Sequence, residues 1–321
     1  MNIQNFFGRV ASRGAIPGAI AGLTGAGTVL AANYQKEIEI ERARSGKPHR
    51  GKVLVAIQAN ASDIPLFASG TCAKLMNEGY TGYLVRTTND EKSGEGTLFQ
   101  NIESNEQENL DMAKKLGFAE VLDLYYLNRR MDESSLVDIR GRLIFILRLL
   151  KADIVICYFP QEEIDENPDH IITGRAVEQA CQLTHNMTMY PEHFDAGITA
   201  HPVSEQYYPA VKSWQTYNRV VDISPYIEKK IDAITICRSQ GGRSGSLLRQ
   251  QLAREKKHLP ILGKNDSTAD REYIRNFLLT GNKETGAQHG LDYAEQFLYI
   301  DKRQSVKSAV EGYIEKNAVN L

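Results

Sequence analysis

Two short stretches bring together side chains of the kinds that bind metals or move protons. One is Asn60-Ala61-Ser62-Asp63 and the other is Pro168-Asp169-His170. Carboxylate oxygen and imidazole nitrogen are both zinc ligands, with bonds of about 2.0–2.2 Å. Asp63 and His170 are therefore the candidate metal ligands. Asn60 is a weaker one, because a neutral amide oxygen binds zinc poorly beside imidazole. Two protein ligands alone are few for tight binding. Each also has a plain structural alternative. An Asp just past a strand often caps the helix that follows, and a His in a first helical turn packs as readily as it ligates. If the two share a metal, their side chains must lie within about 8 Å, since bonds near 2 Å cannot span more. Asp169 is the neighbour that could hold the second ring nitrogen of His170, as metal-bound imidazoles usually require.

The elements around these stretches follow a parallel α/β pattern. Val53 to Ile57 is a short apolar run that predicts a buried strand, and Pro65 to Met76 carries a helical apolar stripe. A second strand is expected from Gly82 to Thr87, a polar helix over 101–116 stopped by Gly117, and a third strand from Ala119 to Tyr125. Leu136 to Leu150 predicts a helix with apolar positions at 139, 143, 146, 147 and 150. Asp153 to Tyr158 predicts the clearest strand, and Pro168 suits the start of the next helix. This alternation predicts a three-layer, mostly parallel Rossmann-like sheet with helices on both faces. The four strands should be parallel neighbours or near neighbours. Ligands of such sheets bind beyond the carboxyl ends of the strands, where residues 58–63 and 87–90 fall.

The rest of the chain is less regular. Residues 186–217 read as aromatic and irregular. Helices are expected near 225–237, 246–257 and 270–279, and a short amphipathic element over 291–298. The organisation expected is a leader over 1–33, a helix and linker over 34–50, one α/β domain with a C-terminal extension over 51–300, and a charged tail over 301–321. Residues 1–32 have two arginines, no acid, and then a small and apolar stretch, the layout of a secretory signal peptide. The alternatives are export or a cytoplasmic protein with a surface-packed leader. The stretch is short and glycine-rich for a membrane span, so no stable span is expected.

Composition excludes several classes. A formal net charge of −2 argues against a nucleic-acid binder. The four cysteines, at 72, 157, 181 and 237, form no CxxC pair, so neither a thiolate zinc site nor a disulfide framework is indicated. The glycine-rich turn of a dinucleotide site does not follow Val53–Ile57. No Gly-x-Ser-x-Gly elbow surrounds Ser62.

Taken together, these residues resemble the LmbE-like, or PIG-L, family of metal-dependent N-acetylglucosaminyl deacetylases. The first family mark is a strand followed by His-Pro-Asp-Asp or His-Ala-Asp-Asp and a helix opening near Ser-Gly-Thr. Here it reads Asn60-Ala61-Ser62-Asp63 with Ser69-Gly70-Thr71. The second mark, Asp-His with Gly four residues on, is intact as Asp169-His170 and Gly174. Thr88-Asn89-Asp90 and the late Ala294-Glu295-Gln296-Phe297 also fit, so the resemblance spans about 50 to 300. It implies a Zn2+ cofactor and a small-molecule N-acetyl sugar conjugate as partner.

The departures carry the functional question. The resemblance puts a ligand histidine at Asn60 and the catalytic base at Ser62, while the ligands Asp63 and His170 are kept. A family arginine would fall near Asn105, and a later family histidine on Cys237, just before Ser239-Gln240. Serine is no general base near neutral pH, and losing the base costs about 10²–10⁴ in rate. Acids of the 162–169 loop, Glu162, Glu163, Asp165 and Asp169, could stand in for it. Two readings follow: a zinc-dependent hydrolase with impaired activity, or a catalytically inactive relative that binds a sugar or amide-bearing ligand. Asn60 and Ser62 bonded across a filled cleft would favour the second.

Overall fold

The structure is a computed structural model that describes residues 38–161, 165–302 and 309–319. The expectation for residues 1–33, and the acids Glu162 and Glu163, lie outside the described residues. Strands run in chain order as β1 (Glu39–Glu41), β2 (Val53–Gln58), β3 (Thr81–Thr88), β4 (Glu120–Tyr126), β5 (Ile154–Ile156), β6 (Glu205–Pro209), β7 (Arg219–Asp222) and β8 (Ala294–Asp301). The principal helices are α1 (Asp63–Phe67), α2 (Ser69–Asn77), α3 (Leu98–Leu116), α4 (Leu136–Leu150), α5 (Pro168–Leu183), α6 (Glu192–Asp195), α7 (Ile227–Ile236), α8 (Ser244–Arg254), α9 (Asp266–Tyr273), α10 (Thr280–Gln288) and α11 (Ala309–Asn317).

One sheet has the order β1-β7-β8-β6-β5-β2-β3-β4. β5, β2, β3 and β4 lie side by side and parallel, as the sequence predicts. β8 runs antiparallel to both of its neighbours, β6 and β7. Alternation along β2 sorts the core into two layers. Leu54 and Ala56 face a layer that includes Cys72, Leu75, Met112, Leu116 and Ala233, from α2, α3 and α7. Val55 and Ile57 face the other layer, with Ile139, Leu143, Leu147, Val177 and Ala180 from α4 and α5. The sheet is thus covered on both faces, and its central strands carry apolar residues on both sides for that reason.

The expected helix from Pro65 to Met76 is broken at Ala68, where φ is −145° and ψ is 5°. The cause is a carboxylate from the far end of the chain. Glu295 on β8 accepts the backbone N–H of Gly70 at 3.0 Å, the N–H of Thr71 at 2.8 Å and the Thr71 hydroxyl at 2.6 Å. In a continuous helix those N–H groups would bond to Leu66 and Phe67. The carbonyl of Leu66 instead accepts from the Lys230 ammonium at 2.6 Å, and Lys230 also bonds Glu295 at 2.7 Å. The Ser-Gly-Thr and Ala-Glu-x-Phe stretches are therefore two halves of one joint. Glycine is needed at 70 because a Cβ there would meet the Ile223 side chain at 2.7 Å.

Three other elements differ from expectation. The described part of the 34–50 segment holds a strand, β1, where a helix is expected. Glu41 is drawn onto Lys74 at 2.6 Å and Arg219 at 2.8 Å, and these pairings override the helical charge period. The irregular 186–217 segment contains β6, buried along its whole length. The short element expected at 291–298 falls largely in β8, which begins at Ala294.

Candidate functional site

The cleft opens beyond the carboxyl ends of β2, β3 and β5. It encloses about 320 Å³, and its walls include Asn60, Ser62, Asp63, Asn167, His170 and Gln240. Asp63 and His170 meet there, with the carboxylate Oδ1 and the ring Nε2 at 3.6 Å. This is well inside the separation required of two ligands of one ion. The other oxygen of Asp63 accepts the Asn60 backbone N–H at 2.6 Å, so the carboxylate also closes the turn between β2 and α1.

His170 sits in the first turn of α5. Asn167 caps that helix by accepting the Asp169 N–H at 3.1 Å, and Pro168 takes the first helical position. The imidazole Nδ1 lies 3.0 Å from Asp165 Oδ2, and the ring stacks on Tyr158 at 4.1 Å. Four groups surround Nε2: the Tyr158 hydroxyl at 3.0 Å, Asn167 Nδ2 at 3.1 Å, Asn60 Oδ1 at 3.2 Å and the more distant Asp63 carboxylate. Burial disfavours the charged ring, but Asp63 and Asp165 outweigh it and raise the His170 pKa to about 9. The partner of Nδ1 is thus Asp165, not Asp169. The Asp169 carboxylate turns away to the loop after β4, where it accepts from Arg129 N at 2.6 Å, Met131 N at 3.1 Å and Asn128 Nδ2 at 3.1 Å. Helical geometry explains this, because consecutive residues on α5 point about 100° apart.

Asn60 is fully engaged. Its Nδ2 donates to Asp90 Oδ1 at 2.8 Å and to the Thr88 hydroxyl at 3.3 Å, and its Oδ1 accepts from Asn167 Nδ2 at 2.9 Å. Asp90, in a left-handed conformation at φ 55°, also accepts from Ala61 N at 3.0 Å and Arg86 at 3.1 Å. Burial nevertheless pushes the Asp90 carboxyl up to about 6, against the pull of Arg86 and the two donors.

Ser62 donates to Gln240 Oε1 at 2.8 Å, and Gln240 Nε2 donates to Asn105 Oδ1 at 2.6 Å. Asn105 continues the chain to the carbonyls of Ser93 at 2.6 Å and Asn101 at 2.8 Å. A line of neutral groups therefore joins the positions at which the resemblance places the base and the arginine. Cys237, where it places a histidine, is buried with its thiol on the Ala61 and Ala233 carbonyls at 3.6 and 3.5 Å. Burial holds that thiol well above its ordinary pKa, which makes it inert as a ligand or nucleophile.

These side chains do not fit a zinc ion. Among the described residues no group of three or more His, Cys, Asp or Glu could hold a metal. Asp63 and His170 are joined by an amide oxygen that already accepts a hydrogen bond, and the ring nitrogen required as a ligand shares its surroundings with the Asn167 N–H2. Of the residues to which sequence reasoning gave no role, Tyr158 and Asn167 lie within twelve positions of His170, while Gln240 comes from far along the chain. Asn167 carried a local signal, as a capping residue before a proline at a helix start.

Residues 55–181 match the family model described as PIG-L: GlcNAc-PI de-N-acetylase. Among solved structures the fold is similar to that of N,N'-diacetylchitobiose deacetylase from Pyrococcus horikoshii, at TM-score 0.63 and 20% identity over 81% of this chain and 88% of that one. It is also similar to GalB, the 4-carboxy-2-hydroxymuconate hydratase from Pseudomonas putida, at TM-score 0.57 and 16% identity over 80% and 100% of the two chains. A conserved protein from Thermus thermophilus gives TM-score 0.55 and 20% identity over 76% and 93%. At these identities the structural likeness establishes the fold. Over residues 55–181 the α/β core is thus similar to the PIG-L family, and the stretch that corresponds to its first motif carries Asn60 and Ser62. Among the described residues no helix is long and apolar enough to cross a membrane.

Proposed function

We propose that this protein is a catalytically inactive relative of the PIG-L-type hydrolases that binds a sugar or amide-bearing small molecule in the cleft. The observation that carries this reading is the state of the two altered positions. Asn60 and Ser62 are tied into hydrogen bonds with Asp90, Asn167 and Gln240, and neither offers a base or a free metal ligand. The cleft walls are rich in carboxamides, each with both donor and acceptor atoms, which is the chemistry that pairs with hydroxyl and amide groups.

The retained Asp63–His170 pair favours a second reading, a slow zinc-dependent hydrolase of N-acetyl sugar conjugates in which Asp165 stands in as base. Asp165 is already committed to His170 and to Lys212 at 3.3 Å, which argues against that duty. One experiment separates the two. Binding of a panel of N-acetylglucosamine conjugates is measured by calorimetry, and acetate release by the same panel is followed with added zinc. Binding without acetate release is expected. Zinc-dependent acetate release above the uncatalysed rate, even far below the roughly 1 per second of ordinary enzymes, would overturn the inactive reading.

A further inference from the structure

The two asparagines at the centre of the cleft form a polarised chain whose direction is fixed at both ends. Asn60 must turn its N–H2 to the Asp90 carboxylate, which can only accept, and so it presents its oxygen to Asn167. Asn167 must turn its oxygen to the Asp169 N–H at the start of α5, and so it presents its N–H2 to the cleft. That N–H2 lies 2.9 Å from Asn60 Oδ1 and 3.1 Å from His170 Nε2, the two atoms that an ion held between these residues would have to reach.

We infer that Asn167 is a metal-excluding residue, its carboxamide N–H2 standing in for the cation between positions 60 and 170. The inference rests on the reading of the cleft as inactive, and it adds that repairing the first motif does not by itself repair the site. An ion entering there must displace a donor that helix capping holds in place. The N–H2 carries its partial positive charge toward the ion, so the two repel. The replacement of the family histidine by Asn60 and the presence of Asn167 are in this view one arrangement, since the Asn60 oxygen accepts the donor that capping presents.

The test uses the full chain and Zn2+ itself, with affinity read by competition against a chromogenic chelator and geometry by the absorption spectrum of added Co2+. Four proteins are compared: the parent, Asn60→His with Ser62→Asp, the same pair with Asn167→Ser, and Asn167→Ser alone. Serine keeps the helix cap but has no N–H2, and unchanged thermal midpoints establish that each variant folds. The triple variant is expected to bind zinc at least about tenfold more tightly than the double variant, the size of effect that groups behind metal ligands usually have. It should also give the intense Co2+ spectrum of a four-coordinate site. A double variant that binds as tightly as the triple one overturns the inference. The reading of the cleft fails separately, on a parent that itself binds zinc tightly and releases acetate. Asn167→Asp in the parent is a second check: it keeps the cap and replaces the donor by a carboxylate. It should raise zinc affinity at least tenfold, and no gain there also counts against the inference.

Discussion

Replacing Glu295 by alanine should weaken the whole fold from a position that touches no ligand. The Glu295 and Lys230 side chains are 1% and 0% exposed, and their charges meet at 2.7 Å. With the carboxylate gone, Lys230 keeps, among the described residues, the Leu66 carbonyl alone as a hydrogen-bond partner. Gly70 N, Thr71 N and the Thr71 hydroxyl lose their acceptor at the buried start of α2. Breaking a buried ion pair from one side costs about 3–5 kcal/mol. The lost hydrogen bonds overlap with that figure and do not simply add to it. A loss of about 4 kcal/mol is therefore expected. At about 2–4 °C per kcal/mol this lowers the thermal midpoint by roughly 8–16 °C. Urea unfolding followed by circular dichroism and by the fluorescence of Trp214 gives the value. Replacing both charges, Lys230→Met with Glu295→Leu, should cost less than the sum of the single changes, because no unpaired charge remains. If Glu295→Ala loses less than about 1 kcal/mol, the joint between β8 and α2 is not the support described above.

Acid sensitivity should trace in part to Glu41. Burial works to raise its pKa, but Lys74 and Arg219 win and hold it below the ordinary 4.5. A lowered carboxyl contributes its stability in full above that ordinary value and loses it as pH falls through the folded value. Glu41→Gln should therefore flatten the fall of urea midpoint below about pH 4.5, and an unchanged slope would refute this. Gly245→Ala should cost at least about 1–3 kcal/mol, because its Cβ would meet the Ala269 carbonyl oxygen at 2.0 Å and push α8 off α9; a neutral change in thermal midpoint would count against that packing. Asn105→Leu should leave Gln240 Nε2 and the Ser93 carbonyl without partners, at about 1–3 kcal/mol each. Hydrogen exchange in residues 91–97 should then accelerate, and unaltered exchange would show that Asn105 does not hold that loop.

The half of the sheet that ends in β4 was legible because β2, β3 and β5 are largely buried on both faces. Continuous apolar runs such as Ile154-Val155-Ile156 have one plausible reading, and the helices between them are closed by Thr97, Gly117, Ser135 and Asn167, residues of known capping habit. The other half was not, because its strands carry buried polar groups. Glu41, Glu205 and Glu295 look solvated in a sequence and are buried in the fold. Nothing local tells a carboxylate that will meet Lys230 from one that will meet water. The site divides in the same way. Asp63 and His170 follow from motif spacing. Asp165 was visible only as one acid among several in its loop, and the engagement of Asn60 and Ser62 depends on contacts across 107 and 178 positions. The sequence carries one further signal of the site. Asn101, Asn105 and Asn109 recur at helical spacing on the side of α3 that also carries Met112 and Leu116, and all three are buried. A row of amides on the inward side of a helix points to a polar cavity beneath it.

The position of β8 also orders events during synthesis. The strands β2 to β5 can pair as soon as residue 156 has left the ribosome, since each finds at least one neighbour among them. The β1–β7 pair joins the rest of the sheet only through β8, whose residues 294–301 are made after both. Until then β6 has an open edge, and the start of α2 has no acceptor for Gly70 and Thr71. A ribosome stalled before residue 294 would therefore hold a chain with β6, β5, β2, β3 and β4 paired, the β1–β7 pair unattached to them, and the helix beside Asp63 not yet anchored. Such a chain is the kind of intermediate that chaperones bind, through its unpaired strand edge. The last strand acts as a fastener that closes the sheet and secures the cleft wall in the same step.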